Sequence, residues 1–299
     1  MKIVVTGVTG YIGGSVAMKL LGRGHDIVGL VRDESKAALL KGLGIEPLAG
    51  RIDDLDFVRQ AARSAHGIVN AADADNTFVV DACLNALSST GKFFVHTSGS
   101  SIIADRAEGN KSDKIFHEDI PFEPVPEKAA RTAIHRIVLS SALTGVRSIV
   151  LCPSLIYGSG SGLKRDSFQI PQLMALAKTS GAGRYVGNGE NIWSHVHIDD
   201  LCDLYALAID KAAAGSFFFV ENGEASMKSI AQSIARSLGF GDRTMSIPMA
   251  EAVELWGATT AHYTMASNSR VSSLKARKLL DWHPSRRPLL QDIDEGLSE

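Results

Sequence analysis

Short apolar runs alternate with helix-period stretches along the first half of the chain. Residues 3–5, 27–31, 68–71, 93–95 and 148–151 form the runs, and the segments between them repeat apolar residues at three- and four-residue spacing. That alternation predicts an α/β fold, a doubly wound parallel sheet with crossover helices. The first helix carries Ile12, Val16 and Leu20 on one face, with Ala17 and Leu21 beside them, and ends near Gly22 and Gly24. After Tyr157 the pattern loosens into glycine-rich loops at 159–162 and 181–189, followed by helices near 198–211, 226–238 and 273–280. A large domain over 1–157 and a smaller mixed α/β lobe over 158–299 are expected, with segments of the lobe returning to the large domain.

The first strand runs directly into Gly7-x-x-Gly10-x-x-Gly13 and then the first helix. In such a turn Gly7 permits the tight bend, Gly10 admits close approach of a pyrophosphate, and Gly13 lets helix and strand pack closely. Phosphates meet the positive helix end. An acidic residue about twenty positions on would bind the adenosine ribose, but Val31 and Arg32 stand at the end of the second strand. Arg32, with Lys36 in the next helix, suits a 2′-phosphate, so NADP is favoured over NAD. Asp33 facing a ribose, and a solvated helix start at Arg32 and Lys36, remain the alternatives.

Composition narrows the partners. The chain has 299 residues, 45% of them apolar, and a formal net charge of −2, enough for a substantial core but with no basic run for nucleic acid or an anionic membrane. No apolar run approaches the ~20 residues needed to span a bilayer. A small-molecule substrate is the expected partner. The first strand begins almost at once, without room for a leader, so a cytoplasmic location is expected. Cys83, Cys152 and Cys202 lack metal-site or disulfide spacing and read as buried thiols.

The loop Thr6-Gly7-Val8-Thr9-Gly10-Tyr11-Ile12-Gly13 resembles the opening of the extended short-chain dehydrogenase/reductase (NAD-dependent epimerase/dehydratase) superfamily. Further matches are Gly50-Arg51-Ile52-Asp53-Asp54, Phe94-Val95-His96-Thr97-Ser98, Cys152-Pro153-Ser154-Leu155-Ile156-Tyr157-Gly158, His195-Val196-His197-Ile198-Asp199-Asp200-Leu201 and Leu280-Asp281-Trp282-His283-Pro284. The resemblance implies a Rossmann domain with a C-terminal substrate-binding lobe and a homodimer joined through a four-helix interface. It implies a cofactor shell of Thr6, Gly7, Thr9, Gly10, Tyr11, Ile12 and Gly13, to which the residues at the end of the second strand add Arg32 and Lys36. It adds Ile52 at the adenine with Asp53 beside it, Ala71 and Ala72 at the nicotinamide ribose, Thr97, and Pro153 against the nicotinamide. Arg51 replaces the acidic residue usual before Ile52.

Members of this superfamily use Ser or Thr with Tyr-x-x-x-Lys, and no tyrosine here has a lysine four residues later. Alignment on His135-Arg136-Ile137-Val138-Leu139 puts Glu127 at the tyrosine position and Arg131 at the lysine position. The serine position falls on or beside Gly99, which Ser98 and Ser100 flank. Ser98, Ser100, Glu127 and Arg131 are therefore the catalytic candidates. Glu127 and Arg131, four apart on one helical face, are expected to form an ion pair that lowers the Glu127 pKa. A solvated pair at the helix start is the bland alternative.

Two other features have two readings each, and a third has one. His195 and His197 alternate on one strand face near Asp199 and Asp200, but either aspartate also makes an N-cap for the next helix, and no metal is expected. Tyr157, Trp193 and Trp256 either line a substrate pocket or pack in the core. Residues 183–185 and 187–189 read as a mobile loop pair covering a ligand. The functional expectation is an NADP-dependent oxidoreductase or epimerase of atypical mechanism acting on a small carbonyl or hydroxyl compound. A non-catalytic NADP-binding sensor is one alternative, and a nucleotide-sugar epimerase or dehydratase another, although no arginine-rich diphosphate clamp is evident.

Overall fold

The computed structural model describes residues 1–296; 297–299, the end of the expected C-terminal lobe, lie outside the described residues. Seven parallel strands form the central sheet: β1 (Lys2–Thr6), β2 (Asp26–Val31), β3 (Glu46–Ala49), β4 (Gly67–Asn70), β5 (Phe93–Thr97), β6 (Arg147–Pro153) and a last strand, Ser216–Val220, from the C-terminal half. Their spatial order is β3-β2-β1-β4-β5-β6 followed by Ser216–Val220, so strand order reverses between β1 and β4. Ligands of open α/β sheets bind outside the carboxyl ends of the strands at such a reversal.

Successive residues of the strands feed opposite cores. Ile3, Val5, Val69, Phe93, Val95, Ile149 and Leu151 enter one cluster, and Val4, Ile68, Phe94 and Val150 the other. Both faces are covered, so the strands read as nearly continuous apolar runs. Helices α1 (Tyr11–Gly22), α2 (Glu34–Gly42), α3 (Leu55–Ser64), α4 (Thr77–Leu87) and α5 (Pro126–Ser140) make the crossovers. The helix Ile198–Lys211 packs on α1, while α3, α4 and α5 cover the other face.

A third apolar cluster joins Tyr157, Trp193, Met227, Ile230 and Leu289, beneath a three-stranded sheet and a two-stranded one. Trp193 is part of this core and donates from Nε1 to the Ser267 carbonyl at 2.8 Å. Trp256 packs against the same cluster. Tyr157 is buried, its hydroxyl donating to the Arg287 carbonyl at 2.6 Å.

Two expectations are corrected here. Residues 183–186 are a strand, Gly183–Val186, paired with Thr244–Ile247, rather than part of a mobile loop. Arg184 in that strand pairs with Glu251 at 2.9 Å, and Gly183 lies where any Cβ would strike the Ala231 carbonyl. The glycine thus marks close packing. The N-cap of Ile198–Lys211 is His197, whose Nδ1 accepts from the Asp199 amide at 3.1 Å; neither aspartate caps. The preceding strand runs straight into the helix, leaving His197 as the last extended residue. Asp200 instead accepts from the Ser285 and Arg286 amides.

All three cysteines are buried and unbridged. Among the described residues, no group of three or more His, Cys, Asp or Glu side chains converges as a metal site, and no helix is long and apolar enough to cross a membrane.

Candidate functional site

A cleft of about 410 Å³ opens at the strand-order reversal, lined by Gly7, Thr9, Gly10, Leu30, Val31, Arg32, Asp33, Lys36, Gly50, Ile52, Ala71 and Ala72. Gly7 has φ +68°, and a Cβ there would lie 2.5 Å from the Ala71 carbonyl, so β1 and β4 close on each other only around glycine. Gly13 sits against the Gly7 carbonyl. Gly10 precedes α1 without a side-chain cap, leaving the first amides of the helix turned toward the cleft. That is the donor set a phosphate group requires.

At the far end, Asp33 caps α2, its Oδ1 accepting from the Ser35 amide at 2.9 Å and the Ser35 hydroxyl at 2.7 Å. These hydrogen bonds hold its carboxyl below the ordinary range. Arg32 and Lys36 are exposed beside it, and among the described residues neither forms a salt bridge.

Several expected cofactor contacts are absent from this cleft lining. Thr6 bonds Asn70 at 2.6 Å and receives the Ala71 amide, which fixes β1 to β4. Tyr11 donates its hydroxyl to the Tyr157 and Gly158 carbonyls at 3.1 and 2.8 Å, so it anchors a later segment of chain. Ile12 packs against the core on the α1 side of the sheet. Asp53 is drawn away by a two-bond pair with Arg51 at 2.9 and 2.6 Å. Thr97 bonds Tyr205 at 2.6 Å beneath the strand ends, and Pro153 closes β6 in register with Val220.

The catalytic candidates separate. Ser100 is buried, bonded to Ser269 at 2.6 Å, and is a packing residue. Ser98 shares a 2.6 Å hydrogen bond with His135 Nε2. The expected Glu127–Arg131 ion pair does not form. Arg131 turns toward β4 and clasps Asp75 through Nε and Nη2 at 2.8 and 2.5 Å. Its Nη1 faces Gly99, 3.7 Å from where a Cβ would be. Glu127 faces Arg106, at 3.4 Å, on the opposite side. Its pKa is lowered as expected, but by the backbone amide at the helix start and the Tyr263 hydroxyl first, with Arg106 after them. The geometry of α5 allows the four-residue pair; nearer and better-aligned partners win both ends.

Sequence reasoning missed Arg106 and Tyr263. Arg106 Nε donates to the Tyr263 hydroxyl at 2.9 Å, across 157 residues of sequence, and its guanidinium lies 5.8 Å from the Tyr263 ring centre. With Glu108, Glu127, Ala258, Thr259 and His262 they line a pocket of about 270 Å³ over the start of α5. Tyr263 lies in a π-helical turn, Ala261–Met265, an irregularity frequent at functional sites. No local motif announces it.

An all-parallel sheet, a strand-order reversal and a glycine-lined β1–α1 turn define a Rossmann fold of the dinucleotide-binding type. Residues 3–218 match the model of the NAD dependent epimerase/dehydratase family, and the chain belongs to that family. It is similar to an uncharacterized protein of Schizosaccharomyces pombe, 29% identical and matched over 98% of both chains. An oxidase of Acremonium is also 29% identical, over 98% of this chain and 95% of that one. The fold superposes on dTDP-glucose 4,6-dehydratase of Bacillus anthracis, solved with NAD, with a TM-score of 0.78, 18% identity and coverage of 99% and 95% of the two chains.

Proposed function

We propose that this chain is an NADP(H)-dependent oxidoreductase acting on a small carbonyl or hydroxyl compound without the Tyr-x-x-x-Lys pair. The observation that carries the reading is the cationic rim of the glycine-lined cleft: Arg32 and Lys36 are exposed there while Asp33 is committed to capping α2. Gly7, Gly10 and the uncapped start of α1 would receive the pyrophosphate, Ile52 the adenine, and Ala71 and Ala72 the nicotinamide-side ribose. Arg32→Ala should weaken NADPH binding about tenfold and NADH within twofold, measured by nicotinamide fluorescence titration. Equal losses for the two would refute the 2′-phosphate role.

A bound nicotinamide would supply or accept the hydride. Arg131, fixed by Asp75, holds a permanent positive charge over Gly99, where the family has a hydroxyl. Glu127 is held ionised and serves as an acceptor, which removes it as an acid at neutral pH. We assign the proton to Tyr263, whose oxygen accepts from Arg106 and whose O–H, held by the Glu127 carboxylate, would turn to a substrate oxygen in the pocket above α5. Tyr263→Phe should lower turnover about a hundredfold and leave NADPH affinity within twofold. A variant with undiminished turnover would exclude this assignment.

A second reading, a non-catalytic NADP-binding sensor, is favoured by the engagement of both Arg131 and Glu127 in ion pairs. Robust turnover of any carbonyl compound would end it. The exposed α4–α5 face, with Phe78 and Ile137 on it, is the surface we expect in a homodimer. Sedimentation at micromolar concentration tests this; a monomer would contradict it.

A further inference from the structure

The segment from Gly158 to Asp166 leaves the end of the β6 region, crosses the first two turns of α1 and comes back toward α2. Its course is fixed by backbone contacts. The Tyr11 hydroxyl holds the carbonyls of Tyr157 and Gly158, and the Ser161 amide donates to Ser15 Oγ at 3.2 Å. Gly162 meets Gly14 backbone to backbone: a Cβ on Gly162 would stand 2.6 Å from Gly14 Cα. The strap is closed on itself by Gly160 N to Arg165 O at 2.8 Å and by Arg165 Nε to Ser159 Oγ at 3.1 Å.

This course delivers two cations to one place. A cavity of about 540 Å³ between strap and α2 is lined by Thr9, Lys36, Leu39, Leu163, Lys164, Arg165 and Asp166. Thr9 and Lys36 also line the glycine-rich cleft, so the two hollows adjoin at its adenosine end. The charged groups around that junction are Arg32, Lys36, Lys164 and Arg165 against Asp33 and Asp166, a local excess of positive charge on a chain whose net charge is −2. Among the described residues, Lys164 and Arg165 form no salt bridge. Exposed cations on a free loop would be unremarkable, but these two are carried by a strap bolted to α1.

We infer that Lys164 and Arg165 complete the 2′-phosphate site from the side opposite Arg32, so that the strap determines cofactor specificity. This rests on the NADP reading above and extends it to residues of the C-terminal half. A dianionic phosphate offers acceptors enough for charged donors on two sides, and none of that demand exists in a cofactor with a free 2′-hydroxyl. The strap is thereby tied to cofactor occupancy, since one end of it holds the phosphate and the other begins at the strand that carries Tyr157.

The test uses 2′,5′-ADP and 5′-AMP as probes, titrated calorimetrically into the full-length protein, so no turnover is needed. Wild type should bind 2′,5′-ADP more tightly than 5′-AMP. Lys164→Gln with Arg165→Gln should weaken 2′,5′-ADP about tenfold and 5′-AMP less than twofold. Lys164→Gln alone, which breaks no hydrogen bond of the strap, should cost about threefold. Unchanged 2′,5′-ADP binding in the double variant, with Arg32→Ala still weakening it, overturns the role of the strap and leaves the NADP reading standing. Equal losses for both probes also overturn it, because the cations would then serve the common phosphate or the fold. No preference in wild type overturns both.

Discussion

Acidification from pH 7.5 to pH 5 should cost the protein about 6 kcal/mol of stability, most of it between pH 6.5 and 5. His96, His135 and His195 are all buried, and burial pushes their pKa values down to about 4, about 3 and about 4. Above pH 6.5 each is neutral in both the folded and the unfolded chain and contributes nothing. Below it the unfolded chain takes up protons that the folded chain refuses, so stability falls as pH drops toward the folded pKa values. At pH 5 each histidine accounts for about 2 kcal/mol, from roughly 1.5 pH units at 1.36 kcal/mol per unit. A typical domain has only about 5–15 kcal/mol in total. The lowered carboxylates, such as Asp75, act below their own ordinary range and do not contribute to this window. Thermal midpoints across pH 5 to 7.5 measure the effect, and His135→Gln should flatten the profile by roughly a third. A midpoint independent of pH over this range would show that these rings titrate freely.

Arg131→Met should reduce turnover about a hundredfold, the scale of losing one charged stabiliser in a water-poor site. The side chain is only 19% exposed, and its two bonds to Asp75 fix the plane of the guanidinium so that Nη1 faces Gly99. Removing it takes away the cation that α5 holds against Gly99 and leaves Asp75 without its two-bond partner. Arg131→Lys restores the family's residue type but not the two-pronged hold on Asp75, so partial activity is expected. The thermal midpoint should move little, because Asp75 is half exposed and can rehydrate. Steady-state oxidation of NADPH with an accepted carbonyl compound reports the change. Full activity in Arg131→Met would remove this residue from the site.

The sheet was legible because a strand buried on both faces has no polar alternation to disguise it, as Ile3, Val4 and Val5 illustrate. The glycine loop was legible for a related reason: its residues satisfy local backbone demands. What escaped were choices between partners. Arg131 had Glu127 one turn away and took Asp75; Tyr11 looked like part of a cofactor loop and instead holds the strap; Ser100 was spent on Ser269. Each outcome is set by which groups the folded chain brings within reach, and spacing along one helix does not contain that information. The Arg106–Tyr263 contact and the strap cations are the same problem at greater separation. Gly183 shows the converse, where a glycine that read as loop is a strand residue packed too tightly for a side chain.

The proposed activity is hydride transfer on an NADP-selective cleft without the family's tyrosine and lysine. Incubation of the purified protein with NADPH deuterated at C4 and a broad panel of small aldehydes and ketones tests it most directly, with product deuterium read by mass spectrometry. Deuterium is expected on the carbonyl carbon of at least one compound, faster from NADPH than from NADH and about a hundredfold slower in Tyr263→Phe. Tight NADPH binding with no deuterium transfer to any compound of the panel would contradict it.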